Sequence, residues 1–171
     1  MTVIARDRRG PAAVAGIVLI LLGAEVFGAF LALTQMPATL ASMVGQSGLP
    51  PYVVICGMLV TYLVLGAVMD ELAMILLTLP VFIPIILTLD LGMPTEDVAI
   101  WFGILVLIVV GIGLSAPPIG LNVFIINKLA TDVPIVETYR GVMPFVIADL
   151  IRLAIITLSP GVALALVRLL N

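Results

Sequence analysis

Two places in this chain put oxygen and backbone polarity where an apolar sequence would not otherwise carry them. Asp70 and Glu71 stand side by side between two uncharged segments, and Ser115 and Asn122 flank a Pro117-Pro118 pair inside the uncharged stretch from Val98 to Asn127. A hard cation prefers carboxylate and carbonyl oxygen, so Asp70 reads either as a cation ligand or as an interfacial carboxylate at a helix end. Glu71 leans to the second reading. The proline pair cannot continue a helix, because each ring removes a backbone donor and clashes with the preceding turn. With Gly111, Gly113 and Gly120 around it, the economical expectation is two half-helices joined by an unwound stretch. Broken backbone at membrane depth is tolerated only where it is buried in protein or lines a cavity. The alternative is an ordinary kink, with Asn122 as an interhelical hydrogen-bonding residue.

Other charged residues carry less. Asp149 and Arg152 lie three apart, share a helix face and are expected to neutralise one another. Glu25 reads as an ion-pathway carboxylate, as a partner of Arg152, or as a residue that reaches an interface. Enzyme chemistry has no footing: there is no histidine, no G-x-S-x-G elbow and no P-loop lysine. Asp70 with Asp149 could imitate an intramembrane aspartyl protease only in number, since nothing flanking them supports that pairing. Cys56 is the single cysteine, which excludes a disulfide or a thiolate cluster within the chain.

The elements that must position these residues are set by composition. The 171 residues are 63% hydrophobic and 10% charged, with a mean hydropathy of +1.38, far from the soluble average. No charged residue occurs from Val26 to Met69, from Leu72 to Leu89 or from Val98 to Asn127. A spanning helix needs about 20 apolar residues, and runs such as Ile17 to Leu22 lack the alternation of a membrane barrel. The fold class expected is therefore all-α, a polytopic transmembrane bundle. The net charge of −3 comes with no basic patch suited to nucleic acid.

Residues 1–11 read as a cytoplasmic tail, because Arg6, Arg8 and Arg9 precede the first span. A signal peptide is disfavoured, since the apolar stretch runs on without a small-residue cleavage site. Residues 12–171 form the membrane domain. Its first span runs from about Ala12 to Leu33. Thr34 to Pro51, rich in proline and glycine, reads as turn chemistry with a short amphipathic or partly embedded segment. A second span covers about Tyr52 to Met69. Leu72 to Leu89, with Pro80 and Pro84, reads as a broken or re-entrant helix, and Asp90 to Asp97 as an aqueous loop. Trp101 opens the next segment at an expected interface. A polar loop after Lys128 leads to a last apolar region from about Val142 to Leu170, kinked or ended at Ser159-Pro160-Gly161.

In order and spacing, Gly66-Ala67-Val68-Met69-Asp70, Pro80-x-x-x-Pro84, Trp101-Phe102-Gly103-Ile104, Ile112-Gly113-Leu114 and Pro117-Pro118-Ile119-Gly120-Leu121-Asn122 resemble the C-terminal half of the large membrane subunit of TRAP transporters, the DctM-like permeases. The resemblance covers about Ile17 to Leu170. It implies a sodium-coupled elevator-type importer of organic acids such as C4-dicarboxylates, in the bacterial inner membrane. The implied partners are a small membrane subunit, an extracytoplasmic substrate-binding protein, membrane lipid and, if separately encoded, the N-terminal half of the permease. Sodium is implied as coupling ion and no other cofactor is. The resemblance further implies a re-entrant hairpin at Gly66 to Asp70 and a discontinuous helix broken between Gly113 and Asn122. On that pattern the substrate and ion pathway comprises Gly66, Asp70, Gly113, Ser115, Pro117, Pro118, Gly120 and Asn122, with Asp70, Ser115 and Asn122 as sodium ligands.

Three departures temper the pattern. Gly111 stands where family members commonly carry Glu, and Ala116 where they carry Thr, so two oxygen-bearing side chains are missing near the presumed ion site. The length amounts to about one of the family's two inverted repeats. A fragment, a split subunit, or a truncated or accessory protein that assembles with partners without transporting alone are the readings consistent with that length.

Overall fold

A computed structural model describes residues 9–116, 120–129 and 133–170, the side chains of 9–13, 121, 166–168 and 170 excepted. The described residues form helices in chain order: α1 (Arg9–Thr34), α2 (Met36–Gln46), α3 (Pro51–Gly66), α4 (Glu71–Leu87), α5 (Thr95–Ser115), α6 (Leu121–Leu129), α7 (Ile135–Leu158) and α8 (Pro160–Leu170). No strand occurs among them, as expected for apolar runs without alternation. By length and apolarity α1, α5 and α7 suffice to cross a membrane.

Helix α5 is the axis of the fold. It packs on α3, α4, α6, α7 and α8, and most of its apolar residues point inward: Trp101, Phe102, Leu105, Val106, Val109, Val110, Ile112 and Leu114 are buried, while Ile100 and Leu107 are exposed. A helix that meets protein on one side and can meet lipid on the other must be apolar all round, which is why its sequence shows no polar face. Helix α2 lies mainly on α4, and α1 touches chiefly α4 and α2.

Several boundaries depart from the sequence reading, each for a local reason. Thr34 to Pro51 is mostly helical: Pro37 sits in the first turn of α2, where its missing N–H has no intrahelical partner to lose. The corner before it is made by Gln35 in the left-handed region at φ 55°. Residues Leu72 to Leu89 are not broken. Helix α4 runs through Pro80 and Pro84 without interruption, held by α1, α2 and α5 packed around it. Trp101 does not sit at an interface; it is fully buried, and its indole Nε1 donates to the carbonyl of Ile156 at 2.9 Å, pinning α5 to α7. The last apolar segment begins at Ile135, seven residues before Val142, and ends as expected at Ser159, with α8 starting at Pro160. Helix α1 already begins at Arg9, inside the stretch expected to be a tail, and residues 1–8 lie outside the described ones. Glu25 does not meet Arg152. That guanidinium pairs with Asp149 at 3.2 Å, as their spacing suggested.

Candidate ion and substrate site

Two helix ends meet where the sequence placed its motifs. Helix α3 stops at Gly66 and α5 two residues past Gly113, and the two glycines touch backbone to backbone. A Cβ built on Gly113 would fall 2.9 Å from the Gly66 Cα and 3.2 Å from the Leu63 carbonyl oxygen; one on Gly66 would fall 3.1 Å from the Gly113 Cα. Only glycine permits this approach, since any side chain would push the helices apart. The contact sets the C-terminal ends of α3 and α5 side by side. Each end carries carbonyls without intrahelical donors and the negative pole of a helix dipole.

Past each end the chain turns and starts a new helix. After Gly66 the turn of 67–70 leads into α4, where Asp70 is the N-cap: its carboxylate oxygen accepts from the Leu72 N–H at 3.1 Å and the Ala73 N–H at 3.5 Å. Asp70 is exposed. Its capping role matches the helix-end reading, and a carboxylate in that position also complements the positive pole of α4. After Ser115, Ala116 leaves the helix in extended geometry (φ −81°, ψ 143°). Pro117 and Pro118 lie outside the described residues. The chain re-enters helix after Gly120, which is buried and holds φ 45°, the left-handed region open to glycine at little cost. Carbonyl oxygens of Ala116 and Ser115 would lie 3.1 and 3.3 Å from a Cβ added there. Gly120 thus sits tightly against two main-chain oxygens, with no room for a side chain.

Helix α5 and helix α6 therefore form the discontinuous element that the proline pair predicted, and α3 with α4 the hairpin. Both hairpin helices are shorter than the ~20 residues of a full span, at 16 and 17 residues. Of the candidate residues, Gly66 and Gly113 are in direct contact, and Ser115 and Gly120 face each other across the break. Asp70 closes the neighbouring turn, and Asn122 is exposed near the start of α6. Among the described residues no three Asp, Glu, Cys or His side chains gather as a metal cluster. The oxygens brought together here are main-chain ones.

Two supporting residues escaped the sequence reading. Tyr62 is fully buried; its hydroxyl lies 2.7 Å from Thr78 Oγ1, and its ring meets Phe82 edge-on at 5.2 Å. These contacts clamp α3 to α4 behind the Gly66 turn. Thr78 also donates to the Met74 carbonyl at 2.7 Å, so the network is closed. Their only sequence signal is a polar group at helical spacing inside an apolar run, which a core tyrosine anywhere would also give.

Residues 8–162 match the family described as Tripartite ATP-independent periplasmic transporter, DctM component. The chain belongs to that family. Over 150 residues it is 33% identical to the C4-dicarboxylate TRAP transporter large permease protein DctM of Pseudomonas aeruginosa, covering 88% of this chain and 34% of that protein. It is 27% identical over 150 residues to the sialic acid TRAP transporter large permease protein SiaM of Vibrio cholerae, again 88% and 34% of the two lengths. With the isethionate TRAP transporter permease protein DctMQ of Oleidesulfovibrio alaskensis it shares 25% identity over 146 residues, 85% of this chain and 22% of the relative. No solved structure matches. The chain spans about a third of the length of the first two of these permeases. Family membership and, among the described residues, three helices long and apolar enough to cross a membrane make it a multi-pass integral membrane protein.

Proposed function

We propose that this chain is the C-terminal part of the large permease of a sodium-coupled importer of organic acids such as C4-dicarboxylates. It works in the bacterial inner membrane with a small membrane subunit, an extracytoplasmic substrate-binding protein and the remaining part of the permease. The observation that carries the reading is the Gly66–Gly113 contact, which sets two helix breaks side by side. Carbonyl ends suit a small cation, and the start of α6 presents a positive pole that favours an anionic substrate, that of α4 being capped by Asp70.

On this reading sodium is held chiefly by main-chain oxygens of the α5–α6 break, among them Ser115 and Ala116, with the Ser115 hydroxyl, Asn122 and Asp70 as the available side-chain oxygens. Such donors match a hard monovalent ion. They also account for an ion site that lacks the side-chain oxygens of the family pattern at Gly111 and Ala116. Pro117 and Pro118 keep the break open by preventing helix from propagating through it. Chains in the family act on different acids, since the relatives' names specify C4-dicarboxylate, sialic acid and isethionate. The C4-dicarboxylate class is preferred here because the relative of highest quoted identity is named for it.

The test is uptake of labelled succinate, sialic acid and isethionate into proteoliposomes under an inward sodium gradient, with this chain alone and with candidate partner subunits. Sodium-dependent uptake in the assembled system only is expected. No uptake in any combination containing folded chain would instead favour a truncated or accessory membrane protein that does not transport. Within a working system Asp70→Asn keeps a cap acceptor but loses the charge. It is expected to weaken the sodium dependence of uptake, and an unchanged dependence removes Asp70 from the ion site.

A further inference from the structure

Glu25 is the one charge in the middle of α1. It stands 11 residues after Val14 and 9 before Thr34, the ends of that helix's apolar stretch, about 14 Å from the nearer end at the rise of an α-helix. That is near the midplane of a bilayer, where an ionised carboxylate is costly and is normally paired or turned toward protein or water. Here it opens into a groove of about 450 Å³ between α1 and α4, lined by Ala24, Gly28 and Ala29 on one wall and by Leu76 and Pro80 on the other. Glu25 itself is exposed.

Among the described residues nothing is placed to neutralise it. The chain's seven basic residues fall at positions 6–9 and from 128 onward, with none between Arg9 and Lys128. Helices α2 and α4, on which α1 chiefly packs, carry no cation, and Glu71 is their one charged residue. Arg152, the basic residue nearest the middle of α7, is engaged by Asp149. The groove also offers a second acceptor. Pro80 has no N–H, so the Leu76 carbonyl four residues before it lacks its usual helical donor. Carboxylate and carbonyl are both acceptors, and a group with donors and no acceptor, the guanidinium of arginine or the ammonium of lysine, complements them. The small side chains on the α1 wall allow a helix backbone to come close.

We propose that the Glu25 groove is the docking surface for a transmembrane helix that carries a basic residue at mid-membrane depth, supplied by the part of the permease that lies outside this chain. The inference rests on the reading that the chain works inside a larger permease, of which it spans about a third in its relatives. Charge complementarity selects the occupant: a purely apolar helix, or lipid, would leave the carboxylate unpartnered.

The test uses two designed peptides, each an apolar 21-residue spanning helix, one with a central arginine and one with leucine there. Their association with the full chain is measured by energy transfer in phosphatidylcholine vesicles. The arginine helix is expected to bind about tenfold more tightly than the leucine helix, the worth of one interhelical hydrogen-bonded pair in model helices. Glu25→Ala is expected to erase that preference, and Ala29→Phe, which fills the groove and leaves the carboxylate, to weaken binding of both helices. Equal binding of the two peptides to the unsubstituted chain, or a preference that survives Glu25→Ala, overturns the proposal. Because the readout is association and not uptake, failure here leaves the transport reading standing, and failure of uptake leaves this one standing.

Discussion

Helices α1 and α5 are alike in sequence and opposite in setting. Both are long and apolar enough to cross a membrane, yet 56% of the most apolar stretch of α5 is buried within the chain against 6% for α1. Helix α7, at 11%, resembles α1. In lipid there is no hydrophobic force drawing apolar helices together, so close packing and interhelical hydrogen bonds decide which face meets protein. Helix α5 has both: Gly113 for close approach to α3 and the Trp101 indole for a bond to α7. Helix α1 packs on α4 and α2, but its carboxylate meets no cation among the described residues. The difference separates a self-contained unit, α3 to α6 with α7 pinned to it, from surfaces that await lipid or another subunit.

The comparison is most sharply broken at Trp101. Trp101→Ala leaves a cavity in the centre of the fold and is expected to cost about 3–5 kcal/mol, read as a lowered thermal midpoint in detergent. Gly113→Val drives a branched side chain into the backbone of α3 and is expected to cost about 1–3 kcal/mol. Because it separates the two helix breaks, it should also abolish uptake in the assembled system, whereas a mere loss of stability would be offset by lower temperature. Tyr62→Phe removes the hydroxyl that meets Thr78 and is expected to cost about 0.6 kcal/mol, the average for hydrogen bonds between membrane helices. Leu33→Ala, on the exposed side of α1 at 85% accessibility, is expected to change stability by less than about 0.5 kcal/mol. A large effect at Leu33 with a small one at Trp101 would invert the assignment of the two helices.

What could be read in the sequence was whatever covalent geometry dictates. Pro117-Pro118 and Ser159-Pro160-Gly161 forced helix ends, and the spacing of Asp149 and Arg152 forced a shared face; the structure keeps the helix ends and the ion pair. What could not be read depends on neighbours. Pro80 and Pro84 looked like breaks, but α1, α2 and α5 pack around α4 and keep it continuous. Trp101 had the signature of an interfacial residue, and only the position of α7 makes its N–H a buried donor. The same holds for the site. Gly66 and Gly113 were named singly from motifs, while their contact, separated by 46 residues, is a property of the crossing of α3 and α5. A short amphipathic segment was legible between Thr34 and Pro51, but the extent of α2 was not, because proline and glycine count as turn residues until Pro37 is seen to occupy a first helical turn.

The central claim is that the break after α5, held against the end of α3 by the two glycines, is where sodium binds. The direct measurement is the rate at which a membrane-impermeant maleimide modifies Ala116→Cys in a Cys56→Ser background, within the assembled permease in proteoliposomes. Ala116 contributes a carbonyl to the break and no side-chain oxygen, so the substitution leaves the proposed ligands in place. Sodium is predicted to slow modification while potassium at the same concentration does not. Equal rates in the two salts, in a preparation competent for uptake, would contradict the account.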